Sequence, residues 1–148
     1  MNTTATLAPA APAGTERHWA AMAHLSAILL ALLTSWMAGL AGVVAALAVW
    51  LLKKDDSPFI AGHAREALNF NLSMFLYACG AGALAIALAG ATVLTLGIGL
   101  VLTLPAGILL ALACAGIAVT WLVCSVIATI KAWNGETYRY PLTIRLVR

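Results

Sequence analysis

From Ala67 to Ile130 the chain runs for 64 residues without one Asp, Glu, Lys or Arg. Drawn as a single helix at about 1.5 Å per residue, the stretch would measure about 96 Å, three times the roughly 30 Å hydrocarbon core of a bilayer. It must turn back at least once. A second uncharged stretch, His18 to Leu52, has 35 residues, or about 52 Å of helix, and must also fold back. Only 9% of the 148 residues are charged, against about 25% in a soluble domain, and mean hydropathy is +1.01. These numbers exclude an ordinary soluble enzyme and an intrinsically disordered chain, and they fit one polytopic membrane domain.

Charge placement sets the number of passes. The charged residues cluster at Glu16 and Arg17, at Lys53 to Glu66, and from Lys131 to Arg148. Two passes in the longer stretch keep every Lys and Arg on one side, whereas three would export Lys131, Arg139, Arg145 and Arg148. The expected fold is therefore all-α, with four transmembrane helices arranged as two hairpins. Spans are expected near 19–34, 38–52, 64–89 and 104–131. Turns fall at Thr34 to Trp36 with Gly39, and in an apolar connection from Thr92 to Thr103. Pro105 suits a helix start or kink. A re-entrant hairpin over 19–52 satisfies the same arithmetic. Residues 1–15, rich in Ala, Thr and Pro, read as a disordered tail and lack the basic and apolar regions of a signal peptide. Residues 16–133 form the membrane domain, and 134–148 a basic tail at the cytoplasmic face or interface. Both termini are expected in the cytoplasm.

The informative chemistry lies at the edge of the spans. Ser57 and Pro58 form an N-cap and first helical residue behind Asp55 and Asp56. Along the helix that follows, His63, Glu66, Phe70, Ser73 and Tyr77 recur at three- and four-residue spacings, and Asn69 sits between Glu66 and Ser73. This face must be buried against something. Asn69 and Asn71 are costly toward lipid, so at least one points into the bundle. His24, five residues beyond the interface marker Trp19, lies at a depth where Asn69 could be its partner. His24, His63, Glu66, Asn69 and Ser73 thus form a candidate polar rim cluster. One reading is an interhelical clamp; the other is a titratable relay or cation site, since imidazoles change charge near pH 6.5.

Arg139, Arg145 and Arg148, in an extended strip with Leu142, Ile144 and Leu146 alternating along it, are candidate contacts for anionic lipid. Trp19, Trp36, Trp50 and Trp133 read as interface anchors, and Trp121 as core. Ala78 with Gly82, and Ala111 with Ala115, would allow close helix approach. Cys79, Cys114 and Cys124 all fall inside spans and imply neither disulfide nor metal site. No cofactor or catalytic motif is present, so the chain does not read as an enzyme. A net charge of +3 is too small to imply nucleic acid as a partner.

Four blocks, WAAMAHLS (19–26), WLLKKDDSPF (50–59), HAREALNF (63–70) and KAWNGETYRYPLTI (131–144), together resemble the bacterial branch of the Tic-twenty-like family. That family is named for a chloroplast inner-envelope import component. The resemblance implies a four-helix, multi-pass protein of the bacterial inner (plasma) membrane, with His24, His63, Glu66, Asn69, Tyr140 and Pro141 matching the family's polar blocks and carrying no catalytic role. The function expected is a membrane interaction or assembly module, accessory to protein translocation. Its partners are membrane lipid and a second copy or another membrane protein. The alternative is a small oligomeric channel or carrier.

Overall fold

The computed structural model describes residues 11–34 and 38–148. Most of the expected N-terminal tail and the turn residues Ser35 and Trp36 lie outside these. The described residues form four helices and no strand: α1 (Gly14–Leu33), α2 (Ala38–Lys53), α3 (Pro58–Leu94) and α4 (Leu100–Trp133). α1 packs against α2, α3 and α4, while α2 reaches α3 but not α4.

Helix ends follow local chemistry. Ser57 Oγ accepts the Phe59 amide at 3.2 Å, and Pro58 opens α3 as expected. At α1 the Glu16 carboxylate accepts the Ala13 amide at 2.7 Å. α4 ends in a Schellman turn: the Glu136 amide donates to Lys131 O and the Gly135 amide to Ala132 O, with Gly135 at φ 80°. α3 ends in the same way, with Leu96 in the left-handed position at φ 52°.

The long helices overrun the expected spans, and their connection is shorter, running from Thr95 to Gly99. The reason is the turn itself, since the Leu96 and Gly97 amides bond back to Val93 O and Thr92 O and end α3 within two residues of Leu94. The Thr92 and Thr103 hydroxyls meet at 2.6 Å, one donating to the other and tying α3 to α4 beside the turn, while the remaining proton goes to the carbonyl four residues back, Leu88 O (3.0 Å) or Gly99 O (3.1 Å).

The core is made largely of alanine, which lets helix backbones approach closely. Ala23, Ala46, Val49, Ala64, Ala67 and Leu68 form one cluster; Phe70, Met74, Cys124, Ala128 and Tyr140 form another. Gly42 is required where α2 crosses α3, because a Cβ there would sit 2.5 Å from Asn71 Oδ1.

This core stops halfway along the long helices. Met74 is the last buried residue of α3, and Cys124 is the first of α4. Beyond them about 20 residues of each helix, or about 30 Å, stand as an uncovered apolar hairpin. The expected close approach of small residues is not met there. Ala78, Gly82 and Ala111 instead line an open groove of about 460 Å³ between α3 and α4. Among the described residues only α3 and α4, at 37 and 34 residues, are long and apolar enough to cross a membrane, and their most apolar stretches are 11% and 0% buried. α2 is a 16-residue apolar helix. The uncovered hairpin matches the thickness of a bilayer core.

Candidate functional site

The stripe on α3 that the sequence marks as buried is covered by the chain's own tail. After the Gly135 turn, residues 136–148 run down α3, reverse at Pro141 and Leu142, and return. Leu142 takes φ 56° at the reversal, a strained position for a branched side chain. The side chains of the stripe hold the backbone of this strap. Glu66 Oε2 accepts the Tyr140 amide at 3.3 Å, and the Tyr77 hydroxyl donates to Leu142 O at 2.9 Å. Ser73 Oγ accepts the Ile144 amide at 2.8 Å. Asn69 makes three bonds: Oδ1 accepts the Leu146 (3.0 Å) and Val147 (2.8 Å) amides, and Nδ2 donates to Val147 O at 2.9 Å. A tail whose backbone has no ladder of its own thus finds its partners on one helix face.

A second set of bonds runs through the core. Tyr140 is 4% exposed and stacks on Phe70 with centroids 3.9 Å apart and planes 13° from parallel. Its hydroxyl lies 3.0 Å from His24 Nδ1; His24 Nε2 lies 2.9 Å from His63 Nδ1; and His63 Nε2 lies 3.1 Å from Glu136 O. A carbonyl can only accept, so His63 carries its proton on Nε2. With both rings neutral one order satisfies every bond: Tyr140 donates to His24, His24 to His63, and His63 to Glu136. Burial is the main cause that pushes the Tyr138 phenol up to about 12 and holds Tyr140 far above the ordinary tyrosine range.

The structure therefore brings His24, His63, Glu66, Asn69 and Ser73 together around the strap. It corrects the expected pairing of His24 with Asn69, since His24 bonds His63 and Tyr140 while Asn69 bonds the tail. Helical rise fixes depth, whereas partners depend on azimuth and on the third element. Asn71 turns inward as well, donating to Ala67 O at 2.8 Å and accepting the Trp121 indole N–H at 3.1 Å. Nothing along the chain pointed to that pair beyond the expense of Asn71 in lipid.

Of the basic residues, Arg145 reaches Glu66 Oε1 at 3.4 Å, while Arg139 and Arg148 have no ion pair among the described residues. Lys131 pairs with Glu136, and Lys53 with Asp56 at 2.7 Å. Lys53 lies 4.6 Å over the Trp19 ring, and Lys54 5.0 Å over that of Trp50, placing two interface anchors at the polar end. Cys79 is exposed and Cys124 is buried, and all three thiols are free. Among the described residues no group of three or more His, Cys, Asp or Glu could hold a metal ion.

An all-α core closed at its polar end by its own tail, with a bare apolar hairpin beyond, defines a small membrane-associated helical protein. Residues 15–147 match the model of the MamF/MmsF family, described as the magnetosome magnetite crystal formation protein family, and the chain belongs to it. No curated protein and no solved structure matches the chain. The family match overturns the Tic-twenty-like resemblance, and with it the support for a role in protein translocation. The four blocks behind that resemblance are the α1 face carrying His24, the capped α2–α3 connection, the α3 stripe and the strap. Their residues do the work of helix ends and packing, so they report architecture more than lineage.

Proposed function

We propose that this protein is a non-enzymatic assembly module embedded in the membrane that encloses a growing magnetite crystal. Family membership supports the setting. The observation that carries the module reading is that the polar end spends its hydrogen bonds on its own tail: His24, His63, Asn69 and Ser73 are all engaged there. A transport site needs groups free to exchange partners with a solute. The cavity near Asn71 and Trp121, about 210 Å³, is lined mainly by Ala, Met, Ile and Cys, a poor path for an ion.

In this reading α3 and α4 cross the bilayer, and the α1–α2 hairpin dips in from the polar end without crossing. The support is its reach: Gly39, near the start of α2, lies against Phe75, with about 30 Å of α3 still to run. The clustering of Lys and Arg favours a cytoplasmic polar end with both termini. Single cysteines at Leu33 and Ile98, in a chain cleared of its native cysteines, test this. Ile98→Cys should be labelled only from the far side and Leu33→Cys from neither; far-side labelling of Leu33→Cys would mean that α1–α2 crosses.

His24→Gln separates module from carrier. Glutamine can accept from Tyr140 and donate to His63, but it cannot titrate. Protein in liposomes should show no His24-dependent proton or cation flux, and cells with His24→Gln should form crystals of normal size. Robust flux from the unmodified protein, lost in folded His24→Gln, would establish the carrier instead.

A further inference from the structure

At the polar end a groove of about 630 Å³ opens between the first turns of α3 and the strap. Arg65, Arg139, Arg145 and Arg148 line it, with Glu66 as the acidic side chain among them. Glu66 is engaged by Arg145, and Arg65 Nε donates to Ala61 O at 3.4 Å. Arg139 and Arg148 are exposed and have no anionic partner among the described residues. Four guanidinium side chains stand against one side-chain carboxylate in this concave site, and guanidinium forks suit phosphate oxygens.

The strap that brings three of these arginines also carries exposed apolar side chains between them. The strap turns Leu142 (65% exposed), Ile144 (42%) and Leu146 (55%) outward while its backbone is pinned to α3. A free phosphate would use the arginines and leave this apolar strip idle. An amphiphile uses both. We infer that the groove binds the phosphate of an anionic phospholipid, with the acyl chains lying along Leu142, Ile144 and Leu146. The site differs from the bare tail strip expected from sequence, because Arg65 of α3 forms one wall and Arg145 is tied to Glu66. The inference rests on membrane insertion of the polar end but not on the assembly role.

The test uses full-length protein in mild detergent, titrated with phosphatidylglycerol, phosphatidylcholine or inorganic phosphate, and read by thermal unfolding and by lipid retained in native mass spectrometry. Phosphatidylglycerol should bind and raise the unfolding temperature, while phosphatidylcholine and millimolar phosphate should not. Arg139→Gln with Arg148→Gln should weaken phosphatidylglycerol binding about 25-fold, at about fivefold per arginine, without changing the lipid-free unfolding temperature. Equal responses to the two lipids, or an unchanged affinity in the double variant, would overturn the site. Saturation by inorganic phosphate alone would replace the lipid with a soluble anion. Flotation with phosphatidylcholine vesicles checks insertion separately, since its failure would sink the membrane reading and not the groove chemistry.

Discussion

Replacing Tyr140 with alanine is expected to destabilise the protein by about 3–5 kcal/mol, the usual cost of deleting a buried aromatic ring. The ring fills the space among Phe70, Cys124 and Ala128, and its hydroxyl begins the chain through His24 and His63. Tyr140→Phe keeps the stacking but leaves His24 Nδ1 without a donor, so about 1–3 kcal/mol is expected. Unfolding in mild detergent measures both, and trypsin after Arg139 and Arg145 reports release of the strap. A loss under 1 kcal/mol in Tyr140→Ala, with the tail as protected as before, would show that the strap is incidental. The same burial sets an alkaline limit. Because the folded phenols hold their protons above the ordinary value of about 10, their contribution is intact below pH 10. It is lost as pH rises through the Tyr138 value of about 12, so stability should fall over that interval and fall less in Tyr138→Phe.

Asn69→Leu should cost about 2–3 kcal/mol, since three strap bonds disappear at about 1 kcal/mol each. Asn69→Asp retains an acceptor for the Leu146 and Val147 amides and should keep the tail more protected than leucine does. Combination with His24→Leu is informative because the two residues do not touch yet hold one segment. Once either grip is lost the other holds less, so the double variant should lose less than the sum of the single losses. Strict additivity would mean that the two ends of the strap detach independently.

Much of this arrangement was legible in the sequence, and what was missing has a common cause. Uncharged lengths determined where the chain turns, and Ser57-Pro58 marked the start of α3. The spacing of Glu66, Asn69, Ser73 and Tyr77 marked a buried face correctly. It could not say what buries that face, because the partners lie 65 to 79 residues further on, in a segment with no periodicity matching the helix. Tyr140 drew notice only through the family resemblance, although a tyrosine beside a proline in a basic tail gives no packing signal. The apolar spans hid a different fact. Hydropathy looks alike in α2 and in the distal half of α4, and only contacts show that one lies against the core and the other stands uncovered.

In chain order the strap follows every helix it closes upon. During synthesis α1, α2 and α3 leave the ribosome with Asn69, Ser73 and the histidine pair lacking their final partners, and the Gly135 turn cannot bring Tyr140 home until α4 has emerged. The polar end is therefore an unlatched door while the helices insert, open to water or to an assembly factor until the strap has been made. Insertions between the Gly135 turn and Arg148 act directly on that latch, whereas insertions ahead of α1 leave it free to shut.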